Sequence, residues 1–130
     1  MKFLLDTNTV IGLVARQPKL VAAVRRHAPH DFGVSAIGVH ELFFGAYKSP
    51  RQPQNLAALA RLQFDVIEFD REDARQAGEI RAALAAMGGP IGPYDVLIAG
   101  QARARDLVLV TRNVGEFSRV NGLQVEDWGS

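Results

Sequence analysis

The chain has no cysteine among its 130 residues. That absence excludes disulfides, thiolate nucleophiles and zinc-finger chemistry together, and it suits a reducing compartment. Histidine is scarce as well: His27, His30 and His40 are the only ones, too few for a histidine-rich metal site. No apolar run approaches the ~18 residues of a membrane-spanning helix. Asp6 interrupts the apolar N-terminus before a signal-peptide core can form, so a cytoplasmic location is expected. A strong charge of either sign is also missing. Fifteen basic and 14 acidic residues give a formal charge of +1, which neither announces nor forbids a nucleic-acid partner.

What is present is apolar and patterned. Hydrophobic residues make up 48% of the chain, and the length suits one α/β domain spanning residues 1–130. Phe3-Leu4-Leu5 reads as a strand buried on both faces, as in parallel sheets. Phe32-Gly33-Val34-Ser35, Asp65 to Asp70, Leu107 to Val110 and Leu123 to Val125 read as further strands. Helices are expected over Thr9–Ala15, from Pro18 to about Arg26, over Ala36–Lys48, around Leu56–Leu62, over Asp70–Met87 and from Tyr94 to about Arg105. Ser49 to Pro53 reads as a loop. Strands separated by helical stretches call for right-handed crossovers into a mainly parallel sheet of four or five strands.

Most acids explain themselves as helix starts, strand flanks or polar helix faces. Asp6, Glu41, Asp95 and Glu116 stand instead beside apolar runs. Asp6 follows the first strand, where it can cap the next helix or face a cleft at the strand ends. Glu41 shares its helix side with the apolar Ile37 and Phe44. It therefore pairs with an arginine at the core's edge or serves a metal or catalytic role. Asp95 suits a helix start, yet Gly88 to Pro93 delivers it with three glycines and two prolines, a turn specified closely enough to fix a side chain. Glu116 lies shortly beyond the fourth strand. Crowding these carboxylates raises their pKa values unless a hard cation sits among them, and an all-oxygen set suits Mg²⁺ or Mn²⁺. Metal-assisted phosphodiester hydrolysis follows as the economical chemistry.

Together, Leu4-Leu5-Asp6-Thr7-Asn8, His40 to Ala46, Gly92-Pro93-Tyr94-Asp95, Val110-Thr111-Arg112-Asn113 with Glu116-Phe117, and the Glu126-Asp127-Trp128 ending resemble the PIN-domain ribonucleases. More narrowly they resemble the VapC toxins of bacterial toxin–antitoxin pairs. The resemblance implies a three-layer α/β/α PIN-like sandwich and a Mg²⁺- or Mn²⁺-dependent endoribonuclease. Asp6, Glu41 and Asp95 take the family's metal-ligating positions. Where many PIN domains carry a further aspartate this chain has Asn113, so Glu116 is the fourth candidate. Asn8, Thr111 and Asn113 would orient water or a ligating acid by hydrogen bonding. The resemblance also implies a homodimer, a VapB-type antitoxin over the cleft, and a structured RNA substrate, with the initiator tRNA anticodon loop as the subgroup's target. Arg103, Arg105, Arg112 and Arg119 are candidates for holding phosphates, with helix-end or loop solvation as the alternative for each.

Two other readings compete with a nuclease. One is a PIN-like module that binds RNA or protein without catalysis, against which the presence of all four acids argues. The other is a receiver- or phosphatase-like domain around Asp6, which calls for paired acids at the first strand and a later lysine that the sequence does not show.

Overall fold

Alternation along the central strands sends side chains into two separate cores. In a computed structural model describing every residue from Met1 to Ser130, the strands are β1 (Phe3–Leu5), β2 (Phe32–Ser35), β3 (Asp65–Ile67), β4 (Val108–Val110) and β5 (Val125–Glu126). They form one sheet in the order β3-β2-β1-β4-β5, and all four pairings are parallel. The register sets Leu4 beside Gly33 and Leu109, and Leu5 beside Val34 and Val110.

The helices are α1 (Thr7–Val14), α2 (Pro18–Val24), α3 (Ala36–Lys48), α4 (Gln52–Ala60), α5 (Arg71–Ala86), α6 (Pro93–Ala104) and α7 (Val114–Phe117). On one face, Leu4 and Leu109 pack with Ile80 and Leu84 of α5, Val96, Ile98 and Ala99 of α6, and Phe117 of α7. On the other, Phe3, Leu5, Phe32, Val34 and Val110 pack with Val10 of α1 and Leu42 of α3. The result is the expected three-layer α/β/α sandwich, with the sheet entirely parallel. No helix is long and apolar enough to cross a membrane.

Local chemistry sets the element ends. Ser35 caps α3 by accepting from the Ile37 N–H at 3.1 Å. Asp70 and Asp73 form a reciprocal capping box at the start of α5. The same helix stops in a Schellman turn: Gly88 takes φ +68°, and the Gly88 and Gly89 N–H groups reach Ala85 O and Leu84 O, each at 3.0 Å.

Several expectations shift. Pro53 belongs to the first turn of α4 and not to a loop, because proline's missing N–H costs nothing there. The third strand is three residues, shorter than the alternation from Asp65 to Asp70 implied. The last strand lies two residues later than Leu123. Helix α7 was not foreseen, since a single turn leaves no periodicity to read.

Candidate active site

The strand order reverses at β1 and β4, the kind of switch point where an open parallel sheet leaves a crevice at its carboxyl ends. Asp6 leaves β1 there. Its backbone N–H extends the ladder to Val110 O at 3.1 Å. One carboxylate oxygen caps α1 through the Thr9 N–H at 2.8 Å, and the side chain is almost wholly buried. Thr9 in turn donates its hydroxyl to Val110 O at 3.0 Å, binding the ends of β1 and β4 together. Asp6 therefore caps the helix and faces the crevice as well.

Glu41 sits on α3, half-buried, and accepts the Thr7 hydroxyl at 3.0 Å. The arginine partner considered from sequence is absent: no salt bridge includes Glu41. Phe44 is also not a core residue. It is 61% exposed, beneath the Lys48 ammonium at 5.6 Å from its ring. The inward side of α3 is Gly38, Leu42 and Ala46, so the Ile37–Glu41–Phe44 row runs along the rim.

Asp95 is the third residue of α6, after Gly92 at the cap and Pro93 in the first position. Its carboxylate folds back so closely on Gly92 that a Cβ there would lie 3.0 Å from Oδ2. Glu116, on α7, accepts the Gly92 N–H at 3.3 Å. The glycine thus serves both acids: its bare Cα makes room for one and its amide anchors the other.

Burial first, and then the negative charges of Glu116, Glu41 and Asp6, push the Asp95 carboxyl up to about 6. The four acids, drawn from four elements, share one electrostatic neighbourhood. None of them forms an ion pair with a lysine or arginine. They are not gathered into a ready-made cage, since no three acids or imidazoles stand at ligating separation. That looseness fits Mg²⁺, which keeps several waters and takes one or two carboxylates together with substrate phosphates. An all-oxygen, uncompensated donor set suits such a hard cation.

The remaining candidates divide. Thr111 is buried, and its hydroxyl accepts the Asn113 N–H at 3.0 Å, shaping the exit from β4. Asn113 caps α7 with its carbonyl, taking the Glu116 and Phe117 N–H groups at 3.1 Å, while its side chain makes no cap bond. Asn8 is exposed on the first turn of α1. Arg119 donates to Gly89 O at 2.9 Å and so braces the turn before Asp95. Arg112 is exposed, near the C-terminal tail, where its charge helps lower the Asp127 pKa.

Arg103 and Arg105 differ from expectation, because acids of α5 and nearby carbonyls engage their guanidinium groups. Arg103 reaches Gln76 and Glu79, both at 2.6 Å. Arg105 holds Asp73 at 3.0 Å and Asp70 at 3.3 Å, and also donates to Glu68 O. Sequence reasoning overlooked Thr7 and the Gly92 amide. The first acts across 34 positions and the second through backbone, so neither leaves a local signal.

Comparison with known proteins identifies the chain's relatives. The PIN domain family matches residues 3–123. The chain is 42% identical to the tRNA(fMet)-specific endonuclease VapC of Shigella flexneri, over 98% of each protein. It is 35% identical to Ribonuclease VapC2 of Haemophilus influenzae, again over 98% of each. Among solved structures, the DNA-bound VapBC of Salmonella typhimurium superposes with a TM-score of 0.93 at 40% identity, covering 98% of both chains. VapBC-1 of nontypeable Haemophilus influenzae gives 0.87 at 32% identity, covering 100% of both. A family match along nearly the whole chain, with relatives this similar at full length, means that the chain belongs to the PIN-domain family, in its VapC branch.

Proposed function

We propose that this chain, acting as one PIN domain over residues 1–130, is the toxin of a type II toxin–antitoxin pair and hydrolyses RNA phosphodiester bonds as an endoribonuclease. The carrying observation is that the charges of Glu116, Glu41 and Asp6 reach Asp95 in a half-buried crevice and that none of the four acids has a basic partner. Asp6 caps a helix and Glu116 anchors the Gly92 turn, but neither job calls for four uncompensated carboxylates in one neighbourhood; recruiting a cation is a use for that arrangement.

Asp6, Glu41, Asp95 and Glu116 would hold Mg²⁺ or Mn²⁺, which when bound lowers the pKa of water and steadies charge on a phosphoryl oxygen. The protein's own part is positional. Thr7 orients Glu41, the Gly92 amide orients Glu116, and the Thr9 N–H orients Asp6. Asn8, Thr111 and Asn113 would complete the polar wall, and Arg112 and Arg119 are the basic residues left to meet phosphates. The relatives named for tRNA(fMet) supply the proposed substrate, initiator tRNA, and the family resemblance supplies the proposed position of the cut, the anticodon loop. A cytoplasmic location follows from such a substrate.

The partner in this reading is a VapB-type antitoxin, with the toxin itself a homodimer. A groove of about 350 Å³, lined by Ile11, Val14, Leu42, Ala46 and Leu59 with Glu41 on its wall, supports an apolar antitoxin segment running up to the acids. The test is to sequence RNA 5′ ends after brief induction and to repeat the cut with purified protein. New ends in the initiator tRNA, reproduced with Mn²⁺ and abolished by EDTA, are expected. Intact tRNA in both settings overturns the reading.

A further inference from the structure

Two aromatic rings at the rim of the acidic crevice take no part in either core. Tyr94 is 45% exposed, and His40 is exposed as well. Their ring centroids lie 5.9 Å apart at an interplanar angle of 57°, so they meet as a tilted pair across α3 and α6. Each directly precedes an acid of the site, His40 before Glu41 and Tyr94 before Asp95. Successive helical residues diverge by about 100°, so the acids face the crevice while the rings form its lip.

The placement has a physical consequence for an RNA strand. The acids repel phosphates, and Arg103 and Arg105 are already occupied by α5. Beside the phosphate contacts that a cation, Arg112 and Arg119 would make, a contact indifferent to local negative charge suits this rim. Stacking of a base on an aromatic face is such a contact, and single-stranded nucleic acids are commonly held that way. The turn from Gly88 to Pro93, braced by Arg119 on Gly89 O, sets the start of α6 and so the backbone positions of both Tyr94 and Asp95.

We propose that Tyr94 and His40 form a base-binding shelf, which stacks an unpaired nucleobase flanking the phosphate to be cut. This rests on the ribonuclease reading above and adds the residues that seat the RNA strand. Tyr94 supplies the stacking face. His40 props that ring and presents a ring N–H to the base edge.

The experiment uses the full chain and an anticodon stem–loop RNA carrying 2-aminopurine at successive loop positions. Binding is followed in the Asp6→Asn background with Mg²⁺, and cleavage in the otherwise native chain. Tyr94→Phe should bind as the parent does. Tyr94→Ala should weaken binding about tenfold, raise KM more than it lowers kcat, and abolish the fluorescence quench at one loop position. His40→Ala should give a smaller change in the same direction. Unchanged KM and quench in Tyr94→Ala, with the native chain still cutting the RNA, overturn the shelf alone. So does a Tyr94→Ala protein that loses affinity only because light scattering shows its oligomer dissociating. A native chain that cuts no RNA overturns the ribonuclease reading, and the shelf with it.

Discussion

Two groups of acids in this molecule are treated in opposite ways. Around the start of α5, Asp70 and Asp73 cap a helix, and Arg105 lies against both. Asp73 is 1% exposed, yet its carboxyl is held below the ordinary range. Burial pushes it upward, but the hydrogen bonds from Arg105, the Asp70 amide and Gln101 outweigh that push. After β1, within α3 and after the Gly88–Pro93 turn, acids of the same kind share one neighbourhood with no lysine or arginine paired to them, and Asp95 is driven up to about 6. The first group is a structural device complete in itself. The second has no basic partner, and on the proposed reading a bound cation would complete it, which is how a binding site differs from a brace.

The comparison breaks most sharply where function is removed without harm to the fold. Asp95→Asn or Asp6→Asn should cost about a thousandfold or more in RNA cleavage, measured on initiator tRNA with Mn²⁺. The folded state should survive by circular dichroism. Next in size is the opposite case. Arg105→Ala leaves Asp73 buried without its guanidinium and should lower unfolding free energy by about 2 kcal/mol, read from urea denaturation. Cleavage per folded molecule should stay unchanged. Thr7→Val removes the hydroxyl that orients Glu41 and should lower cleavage and Mn²⁺ affinity about tenfold, with Thr7→Ser restoring both.

The smallest effect is in pH dependence, and it has opposite signs in the two groups. Asp95 is raised from 3.8 to about 6, so the folded state keeps its proton longer than the unfolded chain does. Its favourable contribution is full below pH 3.8 and disappears as the pH rises through about 6. In EDTA, Asp95→Asn should therefore stabilise the fold at neutral pH by about 1 kcal/mol, the shift being discounted for a half-exposed group. Asp73 is lowered, so its contribution is present above pH 3.8 and is lost as the pH falls. Urea titrations at several pH values distinguish the two signs.

Much of this architecture was legible because it is written locally. Phe3-Leu4-Leu5 and Val108 to Val110 are apolar runs that only a doubly covered strand can use, and Ser35 followed by an apolar helix is a cap by its chemistry. Asp6, Glu41, Asp95 and Glu116 stood out because each is a charge beside such a run. What stayed hidden depends on distant pairings. The sequence near Arg103 and Arg105 resembles a basic surface, and only the antiparallel packing of α5 on α6 reveals that Glu79 and Asp73 claim them. Thr7 looks like filler until α3 brings Glu41 to its hydroxyl. Helix α7 is too short for its pattern to differ from a loop, although it delivers Glu116.

The central claim is that a divalent cation completes the second group of acids, and titration of Mn²⁺ into the purified chain tests it most directly. Saturable binding is expected, lost in Asp95→Asn and unaffected by Arg105→Ala. A chain that binds no Mn²⁺, yet cleaves RNA equally well in EDTA, would contradict it.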